Sequence, residues 1–387
     1  MKRIFIVLLS FALLFSNILP VNAEGEGMEI ESPSAILMES TTGTVLYEKA
    51  ADERRKPASV TKIMTILLIF ETLESGKIKL EEEVVTSAHA KSMGGSQVFL
   101  EEGEKQTVDT MLKCIIISSG NDAAVAMAEH ISGTEQEFVN RMNTRAKELG
   151  MENTNFVDCC GLTESDDHYT SARDIAIMSR ELITKFPEVY DYSTVWMTTI
   201  THVTQKGSSE FGLTNTNKLL RSYDGCKGLK TGSTSAAKYC LSATAVRNGV
   251  ELISVIMTAP DSKTRFANAA SLLNYGFGKC VLYSDENKDV LPDITLSRGV
   301  MDKVPCRYES EFHYLDTEGA DISKIQKEIR INEEARAPII KGESAGEAVY
   351  TLDGKEIGKV RILYDADVEE AGFLHYIKKT LEYYAKL

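Results

Sequence analysis

The spacing of apolar and polar residues predicts where the main helices and strands of this chain lie. Residues 63–73 are apolar on nearly every helical side, so they predict a buried helix, and Gly76 provides its C-terminal stop. Two short apolar runs ahead of that helix, 35–38 and 44–47, predict strands joined by a tight turn. The folded part of the chain is therefore expected to begin with a hairpin that leads directly into a buried helix.

The rest of the pattern predicts a helical middle, a second hairpin and a β-rich end. Helical periodicity dominates 136–185, where core packing accounts for the apolar residues and no chemistry is indicated. The runs 239–246 and 250–257 flank an Asn-Gly turn, which is a strong hairpin signal. From about residue 285 onward the runs become short and alternating, which predicts a small β-rich domain.

The first residues have the three regions of a secretory signal peptide. Lys2 and Arg3 precede an apolar run at 4–19, and a small-residue site ends at Ala23, after which cleavage is expected. An uncleaved membrane anchor is the alternative, although the run is slightly shorter than the roughly 20 residues of a comfortable span. Either alternative predicts that the body of the protein is exported.

Composition narrows the classes of partner and cofactor. A hydrophobic content of 43% can supply the core of one large domain and a smaller one, and the formal charge of −14 makes nucleic acid an unsuitable partner. Seven scattered cysteines, with no Cys-x-x-Cys pair, predict mostly buried thiols and leave one disulfide open. Six histidines show no metal-ligand spacing, so neither a metal nor another cofactor is predicted.

Ser59 and Lys62 put a nucleophile and a candidate base three residues apart at the start of the buried helix. Residues i and i+3 of a helix lie about 5–6 Å apart at Cβ, so Lys62 can reach the Ser59 hydroxyl. A lysine beside an apolar helix is costly to keep charged, which favours the neutral form that a base requires. The alternative is that Ser59 only caps the helix, since Ser-x-x-Lys occurs again at Ser235 and Lys238.

Ser119 and Asn121 offer possible partners for this pair. They lie on a tight turn between two apolar helical stretches. Because buried polar groups need hydrogen-bond partners, Lys62 is a candidate partner for both side chains.

Lys230, Thr231 and Gly232 form the third informative stretch. They precede the second hairpin, so they are expected on or beside a strand at the edge of the sheet. Gly232 would let another backbone approach closely, and a strand edge offers free N–H groups to an extended peptide.

Three ordered motifs together resemble the signatures of penicillin-binding proteins and serine β-lactamases. They are Ser59-x-x-Lys62, Ser119-x-Asn121 and Lys230-Thr231-Gly232. With their flanking residues they are similar to the low-molecular-mass D-alanyl-D-alanine carboxypeptidases over roughly residues 30 to 280, and 215–219 and 259–262 look closest to the sporulation-associated branch. The resemblance implies an α/β (α+β) fold with an antiparallel sheet flanked by helices, followed by a small C-terminal β-rich domain.

The resemblance also implies an activity and roles for individual residues. The expected reaction removes the terminal D-alanine of a peptidoglycan stem peptide through an acyl-enzyme, and β-lactam antibiotics are expected as covalent inhibitors. Ser59 is implied as nucleophile, Lys62 as base and Ser119 as relay of the proton to the leaving amine. The residues implied to bind substrate or to stabilise the oxyanion are Asn121, Lys230, Thr231, Gly232, Ser233 and Arg265.

Two departures from the family pattern leave substrate preference and rate open. Ser233 stands where many members carry histidine, and Thr216 stands where many carry arginine. A β-lactamase fits less well because the chain has no Glu-x-x-Leu-Asn motif to position a deacylating water. A D,D-endopeptidase acting on crosslinks and a catalytically weak wall-binding protein remain as alternatives.

The expected organisation of the chain has four parts. They are a signal peptide at 1–23, a catalytic domain at 29–280, a β-rich domain at 285–366 and an amphipathic helix at 370–387. That last helix places Phe373, Ile377, Leu381 and Tyr384 on one face. By resemblance it is a peripheral membrane anchor at the extracytoplasmic face, and a helix packed on its own domain is the alternative.

Overall fold

A computed structural model describes residues 28–205 and 207–385 of the chain, so the predicted signal peptide lies outside the described residues. Helices and strands alternate irregularly through the first part. In chain order they are β1 (Ser34–Glu39), β2 (Val45–Lys49), α1 (Lys62–Glu74), β3 (Glu83–Val85), α2 (Ala88–Lys91), β4 (Lys105–Thr107), α3 (Val108–Ile116), α4 (Asn121–Ser132), α5 (Glu135–Glu148), α6 (Ala172–Lys185), α7 (Tyr190–Ser193), β5 (Met197–Thr204), β6 (Gly207–Thr214), α8 (Leu219–Ser222), β7 (Cys226–Thr234), β8 (Lys238–Arg247), β9 (Val250–Ala259) and α9 (Ser262–Lys279).

A five-stranded antiparallel sheet organises this part, in the order β2-β1-β9-β8-β7. Its first strand pairs with the last one in sequence, so the sheet closes only after the chain has passed through eight intervening α-helices. Both predicted hairpins are confirmed, as is the edge position of the strand that carries Lys230.

The sheet is covered on both faces, and this explains why its central strands are buried throughout. Along β1, Ile36 and Met38 belong to a large core shared with α1 and the helices α3 to α6. The alternate residues Ala35 and Leu37 belong to a second core that includes Leu272 of α9. Successive side chains of a strand point to opposite faces, so one apolar strand joins two cores.

The predicted buried helix is confirmed as α1. Ten of its residues from Lys62 to Thr72 are buried, and Gly76, with φ +70°, follows its C-terminus in the left-handed conformation that glycine tolerates. A short 3-10 turn, Ala58–Thr61, precedes the helix. Ser59 therefore lies in this turn, three residues before the first residue of the α-helix.

The last part of the chain is β-rich, as expected. Its elements are β10 (Val281–Asp285), β11 (Ile294–Ser297), β12 (Lys303–Val304), β13 (Cys306–Tyr308), β14 (Phe312–Asp316), β15 (Gln326–Ile331), β16 (Glu334–Arg336), β17 (Ser344–Leu352), β18 (Lys355–Tyr364) and α10 (Phe373–Tyr384). A four-stranded sheet, β13-β18-β17-β15, and two smaller sheets together enclose a separate apolar core. The predicted fold class, an antiparallel sheet flanked by helices with a β-rich C-terminal part, is confirmed.

The final helix, α10, exposes its apolar face. Phe373, Leu381 and Tyr384 are 79%, 65% and 69% exposed, and Ile377 is 42% exposed. No helix in the described ranges has the length and apolar character needed to cross a membrane.

Candidate active site

Ser59 and Lys62 meet at the start of α1. The ammonium nitrogen Nζ of Lys62 lies 3.2 Å from Oγ of Ser59, which is half-buried. Lys62 itself is fully buried. The 3-10 turn and the first residue of the helix thus produce the contact that the three-residue spacing predicts.

The environment of Lys62 favours its neutral form. Burial lowers the pKa of Lys62, and the nearby Cys160, Cys159, Asp158 and Asp122 groups oppose that shift only in part. Its Nζ donates to Oδ1 of Asn121 at 2.5 Å and to the backbone oxygen of Cys160 at 3.0 Å. Neither partner is an anion, so Lys62 is held in place without a compensating charge.

The turn between α3 and α4 brings Ser119 and Asn121 to the same site. Asn121 is the first residue of α4, and its Nδ2 donates to the backbone oxygen of Gly94 at 2.7 Å, which fixes the orientation of the amide. Ser119 has φ +62°, and its buried hydroxyl has no hydrogen-bond partner within the described part of the chain. Of the two expected partners of Lys62, the structure therefore pairs it with Asn121 alone.

Strand β7 supplies the second buried lysine. Lys230 is 1% exposed, and its Nζ donates to the backbone oxygen of Thr231 at 3.1 Å. Burial holds the pKa of Lys230 well below its usual value, and the positive charges of Lys62 and Arg265 lower it further. An anion bound in the cleft would favour the charged form of this side chain.

The next two residues of β7, Thr231 and Gly232, make close contacts in the cleft. Oγ1 of Thr231 donates to Oγ1 of the exposed Thr216 at 2.6 Å. A Cβ at Gly232 would lie 2.9 Å from the backbone nitrogens of both Ser59 and Val60, so only glycine permits this approach of β7 to the catalytic turn. The exposed Ser233 follows directly on the strand.

Arg265 occupies a different kind of position. It projects from α9, is 6% exposed, and donates from one guanidinium nitrogen to the backbone oxygens of Gly232 and Cys240 at 3.1 and 3.2 Å. Burial lowers the pKa of Arg265 to about 10. These contacts brace β7 against β8, and direct contact of Arg265 with a substrate carboxylate stays a prediction.

The loop at 158–161 is a part of the site that sequence reasoning missed. The expectation that 136–185 carries no chemistry is wrong here, because the backbone oxygen of Cys160 binds Lys62. The adjacent oxygen of Cys159 accepts from Oγ1 of Thr65 at 2.5 Å. Gly161 marks a break in the helical pattern, but nothing in the sequence indicates which distant residue the loop meets.

Among the described residues, the remaining cysteine, histidine and acidic side chains form no metal-binding cluster. All seven cysteines lie in the described part, each as a free thiol, so the disulfide left open by the sequence does not form there. Among the described residues no group of three or more histidine, cysteine, aspartate or glutamate side chains could hold a metal ion.

Family comparisons match nearly the whole described chain. A sequence model described as D-alanyl-D-alanine carboxypeptidase matches residues 21–261, and one described as the C-terminal domain of penicillin-binding protein 5 matches residues 285–370. Together the two matches cover both the helix-flanked sheet and the β-rich part.

Individual proteins are similar over most of their length. D-alanyl-D-alanine carboxypeptidase DacF of Bacillus subtilis is 42% identical over 91% of this chain and 89% of its own. DacC of Escherichia coli is 32% identical over 90% and 87%. The crystal structure of penicillin-binding protein 5 from Haemophilus influenzae matches with a TM-score of 0.73 and 31% identity over 89% of this chain and 99% of that one.

Proposed function

The chain belongs to the D-alanyl-D-alanine carboxypeptidase family, and from that premise we propose that Ser59 forms the acyl-enzyme through which it removes the terminal D-alanine of peptidoglycan stem pentapeptides. It is a serine hydrolase and a penicillin-binding protein that acts on the cell wall, outside the cytoplasm. The single observation that carries the proposal is the 3.2 Å contact between a fully buried lysine amine and the Ser59 hydroxyl.

In the first step the oxygen of Ser59 attacks the carbonyl between the two terminal D-alanines. The hydroxyl proton passes to the neutral form of Lys62, which burial favours by lowering the pKa of this amine. As the carbon–nitrogen bond breaks, the leaving amine takes up a proton that Ser119 relays from Lys62. Water then attacks the ester and releases the shortened peptide from Ser59.

Lys230 links binding of the substrate to activation of Lys62. In the free site, burial and the charges of Lys62 and Arg265 disfavour the ammonium form of Lys230. A substrate carboxylate favours the charged form of Lys230, and a charged Lys230 makes a second charge on Lys62 still less favourable, because two like charges in one buried site repel. Binding of the substrate therefore favours the neutral form of Lys62 before Lys62 takes up the proton of Ser59.

The other cleft residues position the substrate. Thr231 and Ser233 line the free edge of β7, where an extended peptide can add as a further strand. The backbone N–H groups of Ser59 and Ser233 stabilise the oxyanion, with the close approach at Gly232 supporting that arrangement. Asn121 holds the substrate amide, and Arg265 contributes positive charge at the carboxylate end.

Labelled penicillin tests the nucleophile. Ser59→Ala should abolish covalent labelling and leave the fold intact, because it removes one hydroxyl from a half-buried turn position. Ser235→Ala is the matched control, since Ser235 opens the second Ser-x-x-Lys copy and is exposed. Undiminished labelling of Ser59→Ala would remove this residue from its role.

A pentapeptide assay tests the substrate. Release of D-alanine from an uncrosslinked pentapeptide supports the carboxypeptidase, whereas cleavage of crosslinked dimers alone would indicate an endopeptidase. Penicillin labelling without either hydrolysis would indicate a wall-binding protein with little catalytic power. A role in sporulation stays a prediction.

The chain is further proposed to divide into a catalytic domain at 29–280, a β-rich domain at 285–366 and a membrane-associated helix at 370–387. The separate apolar core of the last β-strands supports the division. The exposed apolar face of α10 supports peripheral membrane contact at the extracytoplasmic face, because a helix packed on its own domain would bury Phe373 and Leu381.

A further inference from the structure

The residue before the nucleophile has a strained backbone that its surroundings hold in place. Ala58 has φ +50°, a left-handed value that is costly for a residue with a Cβ. Its carbonyl oxygen accepts a hydrogen bond from Oγ1 of Thr61 at 2.8 Å. On the other side it faces Gly161, where a Cβ would lie only 1.8 Å from that oxygen. The position of Ser59 depends on this carbonyl, since the two residues share one peptide group.

A buried histidine completes the chain of hydrogen bonds. His168 is 1% exposed, its Nε2 lies 2.9 Å from Oγ1 of Thr61, and its Nδ1 accepts from the backbone nitrogen of Val157 at 3.0 Å. A backbone N–H can only donate, so Nδ1 carries no proton and Nε2 must carry it. Thr61 has given its own proton to Ala58, so it accepts from Nε2. The direction of every bond is therefore determined.

We propose that neutral His168 is a positioning residue for the reaction: it holds Thr61, and through Thr61 the Ala58 carbonyl, so that Ser59 faces Lys62. The inference rests on Ser59 being the nucleophile. His168 is not a catalytic residue, because Thr61 and Ala58 lie between it and the reacting hydroxyl.

Protonation of His168 would break this arrangement. The imidazolium ion carries N–H groups on both nitrogens, and its Nδ1–H would point at the N–H of Val157. Burial lowers the pKa of His168, the carboxylate of Asp158 opposes the shift, and the ammonium group of Lys56 adds to it. Lys56 is itself paired with Asp166 at 2.9 Å. Acid should therefore release the catalytic turn as His168 takes up a proton.

Two substitutions at His168 separate its two hydrogen bonds. His168→Gln places an amide donor where Nε2 reaches Thr61, and His168→Asn places an acceptor near Nδ1 but nothing within reach of Thr61. Each variant loses one bond of the pair. At pH 7.5 we expect the Gln variant to be acylated by labelled penicillin within about threefold of the parent, and the Asn variant at least about tenfold more slowly.

The pH profile distinguishes positioning from general stability. Both the parent and His168→Gln lose acylation in acid as Lys62 is protonated, but only the parent also protonates His168. The ratio of Gln-variant to parent rate should therefore rise in acid, at pH values below the ordinary histidine pKa of about 6.5, because burial lowers the pKa of His168. A ratio that stays constant with pH, or equal rates for the Gln and Asn variants, overturns the inference. Absence of labelling at Ser59 in the parent would instead overturn the proposed nucleophile.

Thr61→Val keeps the test decisive if His168→Asn does not fold. The substitution preserves the side-chain shape and removes the hydroxyl that joins His168 to Ala58. Acylation should fall at least about tenfold, and adding His168→Gln should then change neither the rate nor its dependence on pH. A folded Thr61→Val protein with the parental rate would overturn the inference.

Discussion

Lys230 in the cleft is fully buried and Lys327 in the β-rich part is half-buried, and their surroundings shift their pKa values in opposite directions. Lys230 has no hydrogen-bonded anion, and burial followed by the charges of Lys62 and Arg265 depresses its pKa. Burial alone would also lower the pKa of Lys327, but hydrogen bonds to Asp289 and Asp285 outweigh burial and raise it. The ammonium nitrogen of Lys327 lies 2.8 and 3.0 Å from their oxygens.

The opposite pKa shifts distinguish a lysine that is suited to bind an anion from one that stabilises the fold. A buried ammonium paired with carboxylates is satisfied and has little reason to give up a proton or to bind another anion. A buried ammonium group without an anion destabilises the folded state. This destabilisation is relieved when a substrate carboxylate binds or when the ammonium group loses its proton. Lysine therefore stabilises the β-rich part, whereas in the cleft it lowers the stability of the fold and is available to bind a substrate carboxylate.

The largest expected effect comes from replacing Lys62, the proposed base, with another cationic residue. Lys62→Arg should reduce penicillin acylation by roughly a thousandfold or more, because a guanidinium group does not deprotonate in proteins. Lys327→Arg is the matched control and should leave the acylation rate unchanged. Acylation of Lys62→Arg within a few-fold of the parent would show that Lys62 is not the base, and the contrast between the two regions would fail.

Lys230→Met should lose activity and gain stability. Without a cation for the carboxylate we expect about a hundredfold loss in pentapeptide hydrolysis, and thermal unfolding should show a gain of about 1–2 kcal/mol at neutral pH. The unfolded chain protonates this lysine below about pH 10.4, whereas the folded chain resists. The advantage of the variant should therefore grow as the pH falls from about 10.4 towards the pKa of Lys230 in the folded chain, and it should be absent above about pH 10.4. A destabilised variant would contradict the idea of an uncompensated charge.

Lys327→Met should show the reverse. Removing the ammonium leaves Asp285 and Asp289 facing each other without a cation, and we expect a loss of about 2 kcal/mol in the free energy of unfolding. The catalytic residues lie elsewhere, so pentapeptide hydrolysis of the folded variant should equal that of the parent. Unchanged stability would mean that the two carboxylates contribute nothing to the β-rich fold.

Local spacing made much of this site predictable from the sequence. The contact of Ser59 with Lys62 follows from a separation of three residues at a helix start, and the edge strand of Lys230 follows from the strong hairpin behind it. Both features depend on residues close together in the chain. Physical rules of short range are enough to find them.

The missed features depend on contacts across long stretches of chain. Lys62 meets Cys160, and Thr61 meets His168, through a mostly polar loop whose sequence does not indicate these partners. The hydrogen bonds of Arg265 to Gly232 and Cys240 likewise join residues far apart in the chain, and its contact with a substrate carboxylate stays a prediction. Periodicity identifies which residues are buried, but it does not specify which groups a buried polar side chain will meet.

The smallest effect on catalysis should come from removing α10. Truncation after Gly372 should leave carboxypeptidase activity unchanged, because the catalytic residues belong to the helix-flanked sheet and its core. It should abolish binding to lipid vesicles. The two regions would then also differ in role: the helix-flanked sheet would carry out the reaction, and the C-terminal part would attach the protein to the membrane.

The contacts of α10 indicate which force drives vesicle binding. Lys379 is already paired with Asp302, and Lys378 lies 3.9 Å from Glu382, so both lysines within Phe373–Tyr384 already face a carboxylate. Burying an exposed apolar side chain is worth about 1.5–3 kcal/mol, so Leu374→Ser with Leu381→Ser should release the full-length protein from vesicles, while Lys378→Gln should weaken binding only slightly. Strong loss with Lys378→Gln at low salt, where charges act over more than about 10 Å, would make attraction to anionic lipid the main force. Unfolding of the β-rich part on truncation would instead support a helix that packs on its own domain.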